Sequence, residues 1–243
     1  MHPDFGTVWD GAPNGIPFVV VPISEPLIPV SFYYASESYP GPYPAPLDAP
    51  IEGGPSSDGD RHVLVLQQVS CTLYEMYDAH PGNSAWSSGS GAIWHLSENE
   101  RRPDGETSAD AAGLPILPGL VRYDEVMSGE IKHALRFTAG SIQHAYIYPA
   151  THSDGTAGSN ANHPPMGARF RLKANFNVSG FPPEVQVILV ALKKYGMVLA
   201  DTGGDWSVTG VPDSRWSDDN LATLSQVHGS DFEAVENGAV HVY

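Results

Sequence analysis

Proline and glycine leave this chain little room for helix. The 243 residues include 25 glycines and 22 prolines spread from end to end. Each proline removes a backbone donor, and each glycine weakens a helix interior. Hydrophobic residues nevertheless make up 41% and aromatic residues 10% of the chain, which is too apolar for a disordered polypeptide. Short strands joined by long, ordered loops satisfy both facts. We therefore expect an all-β fold, a β-sandwich of jelly-roll type with one or two minor helices, and a single domain over residues 1–243.

Alternation of apolar and polar side chains locates the strands. "IPFVVVPI" and "IPVSFYYA" read as edge strands, because their prolines deny a sheet its N–H donors. Residues 39–60 form a proline- and glycine-rich loop that Tyr39, Tyr43, Leu47 and Ile51 should anchor. Residues 61–79 read as a hairpin whose second strand carries Cys71, Leu73, Glu75 and Tyr77 on one face, and a short strand follows near 92–96. Residues 107–126 are too broken by Gly113, Pro115, Pro118 and Gly119 for regular structure, yet too apolar for solvent, and read as a buried crossing loop. The clearest strands are 131–138, 144–150 and 168–176, and 153–162 is the candidate mobile loop. Two helices are expected. One begins at Pro183 with Glu184 in its first turn, Lys193 and Lys194 in its last and Gly196 as its stop, and the other is capped by Ser217.

Charge narrows the partners. Twelve Lys and Arg stand against 28 Asp and Glu, a net charge of −16, so neither a nucleic acid nor an anionic membrane is an expected partner. A lone cysteine, Cys71, excludes an internal disulfide and a cysteine-based zinc site. No apolar run is long enough to span a membrane. The opening "MHPDFGTVWDG" lacks the charged and apolar regions of a signal peptide. Low charge content, many small polar residues and many aromatics still read as a secreted protein, which this chain would then represent in mature form with an added initiator Met.

The scarce cations supply the functional reading. Strand parity in "ARFRLKANF" puts Arg169, Arg171 and Lys173 on one face, and "IKHALRFT" does the same for Lys132 and Arg136. "HAYIYP" adds His144, Tyr146 and Tyr148. Donors and aromatics on one sheet face suit a polysaccharide or oligosaccharide, whose rings stack while its hydroxyls accept hydrogen bonds. Hydrolysis of a glycosidic bond commonly uses two carboxyl groups, one protonated and one ionised. The candidates are Glu75, Asp60, Asp110, Asp124 and Glu125, with Glu75 preferred because it sits within an apolar strand face. Elimination on a uronate-containing glycan is the alternative chemistry, and a non-catalytic carbohydrate-binding module the alternative without chemistry. No cofactor is expected. The ten histidines have no ligand spacing; "SSDGDRH" with Asp58 and Asp60, or "ADTGGDW" with Asp201 and Asp205, could wrap a structural calcium ion, but ordinary Asp-Gly turns account for both. Serine-hydrolase, Walker and Rossmann glycine patterns are absent, and "NVS" at Asn177 is a glycosylation sequon.

The segments "GDRHVLVLQ", "LYEMYDA", "TSADAAGLPILPGLVRYDEV", "IKHALRFT", "PPMGARFRLKANF" and "YGMVLADTGGDW" resemble a family of exported bacterial and fungal proteins. The resemblance runs from "HPDFG" to "DFEAV" and implies export and a role in polysaccharide turnover. It carries over no catalytic residue.

Overall fold

The alternating runs become strands of several sheets with few helices between them, an all-β sandwich as expected, in a computed structural model that describes residues 1–235 and 238–242. The larger sheet has six strands in the order His2–Asp4, Ser207–Thr209, Leu135–Ala139, Met197–Thr202, Arg169–Leu172 and Phe232–Ala234. Leu135–Ala139 runs parallel to Met197–Thr202 and antiparallel to Ser207–Thr209. The smaller sheet is built on the hairpin Val63–Gln67 and Thr72–Tyr77, with Ser90–His95 beside it and Phe18–Val21 as a parallel edge strand. Val30–Phe32 is likewise an edge, pairing with Trp86–Ser88 in a sheet of three.

Period-2 patterning decides which face of each sheet is dry. On the larger sheet Leu135, Phe137, Leu172, Met197, Leu199 and Val208 bury against the helix Pro183–Lys194, which meets them with Val185, Ile188, Leu189 and Leu192. Each such side chain stabilises the fold by about 1.5–3 kcal/mol relative to exposure. The helix ends at Gly196, whose φ of +73° belongs to the left-handed region. On the smaller sheet Val63, Val65 and Met76 face the 39–60 loop, and Tyr43 and Ile51 are buried there as anchors. Its other face, with Leu64, Leu73, Ala92 and Trp94, turns toward Ile116, Leu117 and Leu120. The 107–121 segment therefore passes between the two sheets.

Several expected boundaries contract. The strand expected over 131–138 starts only at Leu135, whose amide donates to Gly196, so Lys132 and Arg136 do not share a strand. The strand over 144–150 is limited to Ala145–Ile147, and Pro149 beyond it has no N–H to give a ladder. Arg169–Leu172 stops short of Lys173. The end of the 107–126 segment, expected to be irregular, enters a short helix at Tyr123–Met127.

Candidate active-site cleft

A segment with four helix- and strand-breaking residues has few partners for its own backbone, so side chains must supply them. From the smaller sheet, Glu75 accepts from the amides of Ile116 and Leu117 at 3.0 and 2.9 Å and from Trp94 Nε1 at 3.0 Å. Ser90 Oγ donates to Ser108 O at 2.7 Å. From the larger sheet, Arg136 grips Asp110 with two bonds, Nε to Oδ2 at 2.9 Å and Nη2 to Oδ1 at 2.8 Å. Arg136 Nη1 also donates to Thr209 Oγ1 at 3.1 Å. Glu75 and Asp110 are wholly inaccessible to solvent.

His62 completes this seam and reveals its own charge. Its Nδ1 lies 2.6 Å from Glu52 Oε2 and its Nε2 3.0 Å from the carbonyl of Ala109. Both partners are acceptors, so both ring nitrogens carry protons and the ring is an imidazolium. Burial works against that charge, but the Glu52 carboxylate outweighs it and lifts the histidine to about 9. Glu52 is correspondingly lowered: burial opposes its ionisation, and His62 more than compensates. Glu75 moves the other way. Burial raises it to about 7, with the amides of Leu117 and Ile116 only partly offsetting that rise.

At one end of the seam the sheets part and leave a cleft of about 480 Å³, within the range of small-ligand sites. Tyr77 and Ser90 contribute from the smaller sheet, and Asp60 from the turn leading into it. Asp201 and Thr202 come from the larger sheet, His152 and Asp154 from the following wall, and Tyr34 and Glu37 from the rim. Residues 107–111 form the floor. Asp201 is aimed here by a β-bulge: Phe137 pairs with Leu199 but Thr138 with Asp201, and the extra residue, Ala200, turns the aspartate onto the Arg136 face.

Asp201 accepts from Arg136 Nη2 at 2.7 Å and from the Thr202 amide at 2.8 Å. One guanidinium thus faces one fully buried and one part-buried carboxyl group, and Asp110 holds it by two bonds against one for Asp201. Burial, followed by repulsion from Asp110, raises Asp201 well above the ordinary carboxylate range, and Arg136 lowers it only in part. Opposite it, Asp60 is exposed to solvent. Asp154 accepts from Thr202 Oγ1 at 2.8 Å on the same wall as Asp201. Among the described residues, no lysine or arginine lines the cleft.

Of the five candidate carboxylates, Asp60 opens onto the cleft, and Asp110 belongs to its floor with its carboxyl group sealed from solvent. Glu75 lies behind its floor with both oxygens engaged. Asp124 pairs with Arg215 at 3.0 Å on an exposed surface, and Glu125 with Arg122 and His133 at 2.6 and 3.2 Å.

The expected binding face is dispersed. Arg136 and Arg169 do share a sheet face, with Val198 in register between them, but the crossing segment covers Arg136. Arg169 and Arg171 are exposed, Arg171 is paired with Glu233, and Lys173 Nζ donates to Ser230 O. Tyr146 stacks on His241 at 5.2 Å, Tyr148 packs tilted against it at 4.1 Å, and Tyr148 Oη donates to Asp104; His144 is exposed. None of these residues lines the cleft.

Asp201 entered the sequence reading only as a weak calcium candidate with Asp205, which instead accepts from the Gly140 amide. Among the described residues, no three His, Cys, Asp or Glu side chains are grouped to hold a metal ion. No sequence signal marked Glu37, His152 or Asp154, because the loops carrying them meet only in the fold. The chain matches no known protein family, no curated protein and no solved structure. Function is therefore argued from the chemistry of the site.

Proposed function

We propose that this protein is a secreted carbohydrate-active enzyme that hydrolyses glycosidic bonds in a polysaccharide. The observation carrying the proposal is the cleft, where Asp201, raised by burial well above the ordinary carboxylate range, and the exposed Asp60 line one space of about 480 Å³. Asp201 is the general acid, giving its proton to the leaving oxygen of the glycosidic bond. Asp60, from the turn leading into the smaller sheet, is the second carboxylate and acts on the other face of the sugar ring. Arg136 and Asp110 position Asp201 without touching substrate.

Electrostatics favour a neutral or amine-bearing glycan. Glu37, Asp60, Asp154 and Asp201 line the site with His152 and, among the described residues, no lysine or arginine, so a uronate would be repelled. Elimination would also lack its carboxylate-neutralising cation there, since Arg136 is already bonded to two aspartates.

The test is incubation with a panel of neutral, amine-bearing and uronate-containing polysaccharides, following reducing ends and the ultraviolet absorbance of unsaturated products. We expect reducing ends without that absorbance. Asp201→Asn should lower kcat by about 10²- to 10⁴-fold while leaving binding intact, as expected for loss of a general acid. Unchanged kcat in that variant would remove Asp201 from the chemistry.

A further inference from the structure

The cleft does not end at its rim. Tyr34, one of its lining residues, is 47% exposed, and the preceding Tyr33 is 83% exposed. Their rings stand 4.8 Å apart at an interplanar angle of 89°, so they offer two faces meeting at a corner. Tyr33 has little packing role at that exposure.

The backbone beneath these rings is firmly held. Tyr33 N donates to Ser88 O at 2.9 Å and Tyr34 N to Gly89 O at 2.8 Å, continuing the Val30–Phe32 ladder. The Tyr34 carbonyl accepts from Glu37 N at 3.0 Å and from Ser38 Oγ at 2.8 Å. Arg102 then ties this turn to the cleft floor, donating to Glu37 O at 2.7 Å and Thr107 O at 2.9 Å. The backbone carrying these two water-facing rings is thus held in fixed relation to the cleft floor. Such preorganisation removes much of the ordering cost of binding.

We infer that Tyr33 and Tyr34 form an outer subsite on which a pyranose ring stacks when a longer glycan chain already occupies the cleft. The inference rests on the glycan reading above and adds to it a chain-length preference. A sugar ring fits because its apolar C–H face matches an aromatic face, while its hydroxyls stay in water or meet the phenols. The ligand is therefore an extended chain of neutral or amine-bearing pyranoses, longer than the cleft alone can hold.

Calorimetric titration with dimers and hexamers of β-1,4-linked glucose and of glucosamine, on the wild type and on Tyr33→Ala, Tyr33→Trp and Asp201→Asn, tests this subsite. Tyr33→Ala should weaken hexamer binding about tenfold and leave the dimer unchanged, with Tyr33→Trp restoring the hexamer. Asp201→Asn should keep hexamer binding and lose cleavage. Equal hexamer affinity in the wild type and Tyr33→Ala overturns the subsite, as does an equal loss for both lengths. Tyr33-dependent hexamer binding without cleavage by the wild type upholds the subsite and overturns hydrolysis. Absence of hexamer binding by the wild type overturns both.

Discussion

Glu75 and Asp201 differ in what lies beyond their oxygens. Both project from strands into the space between the sheets, and burial raises both. Glu75 meets two backbone amides and an indole N–H, so its oxygens serve the crossing segment. Asp201 meets one guanidinium and one amide, then open space. A raised carboxyl pKa reports burial in either case. Only the side facing the cleft can exchange a proton with a bound ligand.

The largest effect should come from the shared cation. Arg136→Met leaves Asp110 and Asp201 facing each other without compensation, and urea unfolding should register a loss of about 3–5 kcal/mol. Pairing that change with Asp110→Asn should recover part of the loss. Next is Glu75→Ala, which strands the Ile116 and Leu117 amides and Trp94 Nε1; about 3 kcal/mol of destabilisation is expected. A loss under about 1 kcal/mol would place Glu75 with the cleft carboxyls after all.

pH separates the two regions more gently. Glu75 is raised to about 7 and His62 to about 9, so folding tightens proton binding at both. The Glu75 contribution is full below its unfolded value of about 4.3 and is lost as pH rises through about 7; that of His62 is full below about 6.5 and is lost through about 9. Glu52 is lowered, so its contribution is lost on acidification instead. The melting temperature should therefore fall between about pH 5 and pH 9, and Glu75→Gln should remove the earlier part of the fall. A flat profile would contradict the imidazolium at His62. The smallest change in stability belongs to Asp201→Asn, within about 1 kcal/mol at neutral pH, because the amide keeps the shape of the side chain and an oxygen to accept from Arg136. A greater loss would move Asp201 into the structural seam.

Much of the fold was legible because it rests on local pattern. Alternation placed the hairpin of Val63–Gln67 and Thr72–Tyr77, prolines marked Phe18–Val21 as an edge, and capping chemistry placed Pro183–Lys194. The conflict of apolar content with frequent breakers in 107–126 correctly indicated a buried crossing. The cleft was less legible. Strand parity identifies the face on which Arg136 stands but cannot say that another segment covers that face. Nor could it place Asp201, since an unforeseen bulge at Ala200 reverses the parity. Asp60 and Asp110 were selected as carboxylates on a strand or an apolar loop, whereas Glu37 and Asp154 come together from distant parts of the chain.

The crossing segment also has a consequence for how the molecule matures. Its anchors lie 26 to 47 residues away along the chain, at Arg136, Glu75 and His62. Contacts of that range pay their loop-closure entropy before they return any stability. Both sheets must be in place before the segment can lock, and the same segment supplies the floor of the cleft. A partly folded chain would therefore hold most of its strands and still lack a site, so recovery of activity during refolding would mark the joining of the two sheets rather than the formation of either.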